Sequence, residues 1–254
     1  MQAGSSSGKD SQSNTMGASP EISGFVLAGG RSSRLGRDKA LLAWSPEALG
    51  EGNSQTLLQY SIARLQCICR TVSVCANRSD LPFAGVILPD ARPESGPLGG
   101  IVAALEYSST DWNLMLAVDL PFLPVEVLQS LVACAYTRVK SRGAPSPSPS
   151  QMVACVLPQF DGLPQPLCGL YHRALAPGLR RALESGKLKV MAALQEACEI
   201  AQPSRRSDGA GLRIEMWNVA AFAATRPAAP NAREWFLNIN TPEDWERARQ
   251  SRSR

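Results

Sequence analysis

Four cations, Arg31, Arg34, Arg37 and Lys39, stand within nine residues and follow directly on the pair Gly29 and Gly30. Glycines let the backbone turn sharply and leave no Cβ between the main chain and whatever lies over it. A turn of exposed N–H groups flanked by Arg and Lys suits a phosphate. A solvated basic loop would carry the same charges but has no use for the glycines. Known glycine fingerprints fit poorly: G-x-G-x-x-G is absent, and Gly36 is followed by Arg37-Asp38-Lys39, where a Walker loop needs Lys and a hydroxyl. The second chemical residue is Asp119, which ends the apolar run Asn113 to Val118. A carboxylate in that position either caps the next helix, as the nearby Pro121 suggests, or binds a cation. Mg²⁺ is usually held by one or two carboxylates plus phosphate oxygens, so an Asp facing a phosphate loop reads as its ligand.

These residues need elements to position them. Gly24 to Ala28 is short, apolar and without helical period, which reads as a buried parallel strand. Thr71 to Ala76 and Val86 to Leu88 read as further strands, the latter ending in Pro89-Asp90. Helical spacing runs through Leu57, Leu58, Ile62 and Leu65, and again over Val125 to Tyr136, Arg173 to Glu184 and Val190 to Ala197. Pro97 to Tyr107 is a helix with Pro at its first position. Gln151 to Leu157 and Pro166 to Tyr171 flank a turn at Asp161-Gly162 and pair as neighbouring strands. Near the end, Thr241 is an N-cap, Pro242 the first helical residue and Asp244 the partner of a capping-box-like pair. The alternation predicts an α/β fold: one domain with a mostly parallel sheet and helices on both faces, Rossmann-like, over residues 21–250. Such sheets bind ligands beyond the carboxyl ends of their strands, where strand order reverses. If the first three strands run outward in order and the Asn113 strand packs on the other side of the first, Gly29 and Asp119 face one crevice.

Composition narrows the classes. The 254 residues, 44% hydrophobic, suffice for one sizeable core. The net charge of +4 owes much to Arg249, Arg252 and Arg254, and no basic face for nucleic acid stands out. No apolar run approaches the ~18 residues of a membrane span, and residues 1–20 hold no apolar signal core. A cytoplasmic protein with a disordered N-terminal tail is expected. Residues 141–150, 202–211 and 226–232 read as flexible insertions. Seven cysteines without C-x-x-C spacing read as reduced core thiols, and His172, the only histidine, as structural.

The stretch Leu27 to Leu42, LAGGRSSRLGRDKALL, resembles the signature L-A-G-G-x-S-x-R-M/L-G-x-D-K of the MobA-like nucleotidyltransferases, and specifically of the molybdenum cofactor guanylyltransferases. Asp90 with Gly96-Pro97-Leu98-Gly99-Gly100-Ile101 resembles the family's second motif, Leu116 to Phe122 its strand ending in D-x-P-F/Y, and Asn238 to Asp244 its closing N-x-N-T-P-E-D/E. The resemblance implies a nucleotidyltransferase fold and transfer of GMP from GTP to the phosphate of the molybdenum-molybdopterin cofactor, with release of pyrophosphate. It further implies that Leu27, Ala28 and Gly29 lie against guanine and ribose, and that Lys39 and Arg34 bind phosphate. Asp90 would contact nucleotide, Asp119 would bind Mg²⁺ and nucleotide, and Asn238 and Asn240 would line the pterin side. Cofactor-delivery proteins and molybdoenzymes are the implied partners. Cys75 departs from the pattern, standing where a family member has Asn; a thiol cannot replace an amide's donors and acceptor. Either Asn77 or a backbone group supplies that contact, or it is dispensable. A cytidylyltransferase acting on the same pterin is the nearest alternative, but those relatives tend to carry L-A-A-G and lack G-P-L-x-G. A non-catalytic nucleotide-binding protein of the same fold is another, although Lys39 and Asp119 are both present.

Overall fold

The computed structural model describes residues 21–29, 35–44, 55–140, 151–201, 211–225 and 232–250. The N-terminal tail, Gly30 to Arg34, the polar loop from Ser45 to Asn53, the tract 141–150 and nearly all of the two later insertions lie outside them. The chain enters with β1 (Ile22–Leu27), then a short ribbon of β2 (Ala43–Trp44) and β3 (Gln55–Thr56), then α1 (Leu57–Gln66). Next come β4 (Thr71–Cys75), β5 (Ile87–Leu88), α2 (Pro97–Tyr107), β6 (Trp112–Ala117) and α3 (Val125–Lys140). The second half holds β7 (Gln151–Phe160), β8 (Leu163–Pro164), β9 (Cys168–His172), α4 (Ala176–Glu184) and α5 (Val190–Ile200). It closes with β10 (Gly211–Asn218), α6 (Val219–Ala224), α7 (Ala232–Trp235) and α8 (Pro242–Gln250).

Among the described residues the main sheet runs β10-β7-β9-β6-β1-β4-β5, with β8 attached to β7. Strand β1 pairs in parallel with β4 on one side and with β6 on the other, so strand order reverses at β1 as the crevice argument requires. Only β8 and β9 run against the rest. β9 joins β7 through Cys155 opposite Tyr171 and Val156 opposite Leu170, the pairing expected around Asp161-Gly162. Both turn residues have positive φ, 47° and 77°, as a tight two-residue hairpin turn demands.

Side chains of the central strands alternate between two cores. Val26, Leu114 and Leu116 pack with Leu58, Ile62 and Leu65 of α1 and Val127, Leu128 and Leu131 of α3. Phe25, Leu27 and Met115 point the other way, into Leu98, Ile101 and Leu105 of α2 and the apolar faces of α4 and α5. A strand covered on both faces must be apolar throughout, hence the runs that mark β1 and β6. Leu114, Met115 and Leu116 are fully buried, each worth about 2 kcal/mol of burial. The strand that delivers Asp119 is thereby fixed in the core.

Strand β10 was not legible as a strand. It is an edge strand beside β7, with a register shift between Arg213 and Ile214 and only its first two residues buried, so its apolar signal is weak. The helix expected from Arg173 starts instead with a one-turn 3₁₀ segment, Arg173–Leu175, before α4. His172 caps that turn, its Nδ1 accepting from the Ala174 N–H at 3.1 Å, while its ring meets the Trp112 ring edge-on at 5.0 Å. All seven cysteines are free thiols.

Candidate active site

One wall of the crevice is built around an ammonium group. Asp38 accepts from the Ala40 N–H at 2.9 Å and so starts the 3₁₀ turn Lys39–Leu41, whose buried Ala40 anchors it while Lys39 points inward. Arg78, just past β4, ion-pairs with Asp38 and grips Asp80 through Nε and Nη2 at 2.6 and 2.7 Å. The signature turn is thus fastened to the far side of β1. The Lys39 Nζ lies 3.3 Å from Asp119 Oδ2 and donates to Asn240 Oδ1 at 2.5 Å. The Lys39 and Asp119 side chains are only 18% and 20% exposed, so their attraction is less screened than that of a surface pair. Asn240 is placed by the cap of α8. The Asp244 carboxylate accepts from the N–H groups of Asn240 and Thr241 at 3.1 and 3.0 Å, and Thr241 Oγ1 accepts from the Asp244 N–H at 3.1 Å. Burial pushes the Asp244 carboxyl up, but these hydrogen bonds outweigh it and hold it below the usual range. The Ile239 N–H donates to the Asp119 carbonyl at 3.2 Å, tying the closing segment to the end of β6.

The opposite wall is made of backbone and close packing. The Ala28 N–H donates to the Cys75 carbonyl at 2.9 Å, and the Val118 N–H to the Leu27 carbonyl at 3.1 Å, so the strand ends stay in register past the sheet. Asp90 and Asn77 bond reciprocally: Asn77 Nδ2 donates to Asp90 Oδ2 at 2.6 Å, and the Asp90 N–H donates to Asn77 Oδ1 at 2.8 Å. Burial raises the Asp90 carboxyl above the usual range, opposed by the Asn77 amide. Beneath it α2 begins at Gly96, whose φ is 60°. A Cβ on Gly99 would lie 2.0 Å from Ser95 Oγ and 3.0 Å from Asp90 Cβ, so this glycine permits the helix to pack under Asp90. Cys75 is 1% exposed, and its thiol is pushed up to about 12 by burial and, secondly, by Asp90. It is a buried, neutral group at the base of the cleft, and Asn77 is the amide that meets Asp90.

Leu27, Ala28, Gly29, Lys39, Asp90 and Asp119 line one cleft with a cavity of about 150 Å³. Arg34 lies outside the described residues. Asn240 reaches this cleft through Lys39, whereas Asn238 lines a separate small hollow with Leu237 and Arg247. No cluster of three or more His, Cys, Asp or Glu able to hold a metal occurs among the described residues.

The sequence profile of the MobA-like NTP transferase domain matches residues 24–199, and the cleft falls largely within that span. The chain belongs to this family. Family relatives include the probable molybdenum cofactor guanylyltransferase of Rhodopirellula baltica, 34% identical over 89% of this chain and 91% of its own. That of Chloroflexus aggregans is 31% identical over 88% and 91%. The molybdenum cofactor guanylyltransferase of Xanthomonas euvesicatoria is 31% identical over 88% and 92%. The fold is also that of molybdopterin-guanine dinucleotide biosynthesis protein A from Archaeoglobus fulgidus, at 19% identity and TM-score 0.63 over 91% of this chain and 98% of that one. It extends to 2-C-methyl-D-erythritol 4-phosphate cytidylyltransferase from Thermus thermophilus, at 12% identity and TM-score 0.55 over 91% and 98%.

Asp38, which lines the cleft, and Arg78, which pairs with it, are polar residues not singled out as site residues from the sequence. Asp38 stands inside the first motif beside Lys39, and Arg78 follows Asn77 directly. An acid within a basic run and a base after a strand end were the available signals, but their pairing across forty positions is invisible without the fold.

Proposed function

We propose that this protein transfers GMP from GTP to the terminal phosphate of the molybdenum-molybdopterin cofactor, in the cytoplasm, giving the guanine dinucleotide cofactor and pyrophosphate. The observation that carries the reading is the meeting of Lys39 and Asp119 at 3.3 Å in a cleft floored by the Gly29 strand end. Curated relatives named as guanylyltransferases that align over about nine-tenths of their own length support the substrates. In the reaction a phosphate oxygen of the pterin attacks the α-phosphorus of GTP, a new P–O bond forms, and the bond from that phosphorus to the pyrophosphate oxygen breaks. Little covalent work falls to the protein; positioning and charge neutralisation carry the step.

Leu27, Ala28 and Gly29 would present backbone groups to the base and ribose, and Asp90, oriented by Asn77, would accept hydrogen bonds from the nucleoside. Lys39, with Arg34, would stabilise negative charge on the departing pyrophosphate. Asp119 Oδ2 and Asn240 Oδ1 already converge on a cation, the Lys39 ammonium, and hard oxygen donors of this kind suit Mg²⁺. Asp119 would hold the ion, which when bound supplies charge neutralisation at phosphate oxygens. Calorimetric titration with GTP, CTP and ATP, with and without Mg²⁺, tests the reading. Selective, Mg²⁺-strengthened GTP binding is expected; preference for CTP would assign the protein to the cytidylyl branch, and binding of none of the three would sink the nucleotide reading altogether.

A further inference from the structure

Helix α1 carries a charge where an apolar side chain would pack at less cost. Arg64 is 6% exposed and lies among Leu57, Leu58, Ser61 and Leu65 on the buried face of the helix. Removing a guanidinium from water is unfavourable unless its donors are satisfied and its charge is met. Here Nη1 donates to the carbonyls of Leu120 at 3.0 Å and Leu123 at 2.7 Å, and Nη2 donates to Ser61 Oγ at 3.3 Å. The guanidinium carbon sits 4.4 Å from the centre of the Tyr60 ring, a cation–π contact. Nε has no partner among the described residues. Two of its three hydrogen bonds therefore go to one place, the turn that follows Asp119.

That turn is tied at three points. The Val118 N–H donates to the Leu27 carbonyl, the Asp119 carbonyl accepts from the Ile239 N–H, and Arg64 draws in the carbonyls of Leu120 and Leu123. The first two ties lie at or before Asp119; Arg64 holds what comes after it. Pro121 and Pro124 cannot donate backbone hydrogen bonds, so the turn has fewer internal ways to hold itself. Phe122 adds packing from outside, edge-on to Trp44 at 5.5 Å, but a ring contact does not fix carbonyl directions as a planar fork does.

We propose that Arg64 is a positioning residue for the cation site: by clamping the Leu120 and Leu123 carbonyls it fixes the turn from which Asp119 presents its carboxylate to Mg²⁺. The inference rests on the functional reading for what Asp119 does, but not for the clamp itself. The test uses the full chain and the variants Arg64→Met and Arg64→Lys, with two readouts. One is the Mg²⁺ concentration that half-maximally strengthens GTP binding, by calorimetry; the other is amide hydrogen exchange over residues 118–124. Arg64→Met should raise the Mg²⁺ midpoint by about tenfold, as expected for losing hydrogen bonds from a charged donor, and speed exchange in the turn. GTP affinity without Mg²⁺ should stay within about twofold, because the base wall is untouched. Arg64→Lys keeps the charge without the fork and should fall between, with a midpoint shifted about threefold. An unchanged Mg²⁺ midpoint in folded Arg64→Met overturns the proposal, since a residue that merely filled the core would lower melting temperature without moving that midpoint. If Arg64→Met does not fold, Arg64→Lys decides, and identity with wild type in both readouts overturns the clamp. Absence of any Mg²⁺ effect in the wild type would instead remove the functional reading, with hydrogen exchange still deciding whether Arg64 holds the turn.

Discussion

On the wall formed by Lys39, Asp119 and Asn240, side chains from positions 80 and 201 residues away converge on one ammonium; on the wall formed by Ala28, Cys75, Asp90 and Gly100, most contacts are backbone or steric. The first wall is ionic and must rearrange to admit a phosphate or metal, because its lysine currently satisfies its own carboxylate. The second is set by strand register and by glycines that let α2 approach. Under the proposed function, charge chemistry would sit on adjustable side chains and recognition on a fixed frame. A nucleotide that met a rigid ionic wall would have to break it, and one that met a loose base wall would lose discrimination.

Substitutions that separate the two walls sharpen the comparison. The largest effect is expected for Asp119→Ala: transfer should fall by roughly 10³-fold with the fold intact, the loss expected when a preorganised charge at the reacting phosphates is removed. Lys39→Ala should cost roughly 10²-fold and leave the far-UV spectrum unchanged; steady-state rates for both variants check the order, and near-normal activity in Asp119→Ala with Mg²⁺ present would refute the assignment of that wall. On the other wall, Asp90→Asn separates binding from stability. Burial raises the folded Asp90 carboxyl, so the native state holds this proton to higher pH than the unfolded chain, whose value lies near ~4. Stability from this group is therefore present below about pH 4 and lost as pH rises through the raised folded value. Asp90→Asn should accordingly melt at or above wild type at pH 7, lose that advantage below about pH 4, and still bind GTP several-fold more weakly. Thermal scans across pH beside GTP titration would show it, and a variant destabilised at pH 7 would mean that the Asn77 pair outweighs the burial. The smallest effect on function belongs to a residue on neither wall. His172→Ala should remove a cap worth about 1 kcal/mol and lower the melting temperature by a few degrees, with turnover within about twofold of wild type.

Much of this was legible in the sequence because the relevant signals are local. The run Asn113 to Val118 ends at Asp119 since a strand covered on both faces must be apolar until it leaves the core. Pro97 at the first turn of α2 and the Thr241–Asp244 reciprocal cap of α8 appear where the spacing put them. Asn238 and Asn240 show the limit. Two residues apart in one motif, they serve different surfaces, because the Ile239 bond to Asp119 turns Asn240 inward and leaves Asn238 beside Arg247. Strand β10 was missed for a related reason: an edge strand half open to solvent carries little of the apolar pattern that marks a central one.

By itself, then, the sequence determined which residues could carry the chemistry, a basic glycine-led turn, two aspartates at strand ends and a capped closing helix, because strand burial and capping act over a few neighbouring residues. The tertiary structure alone decided which of them meet. That Lys39 lies on Asp119 and Asn240, that Asn77 bonds to Asp90 above a buried Cys75 at the base of the cleft, and that Arg64 grips the turn beyond Asp119 all depend on the order of β6, β1 and β4 and on helices packed across them. Contacts between residues tens of positions apart are fixed by sheet order and by the closing of two cores, and neither has a signature in any short stretch of chain.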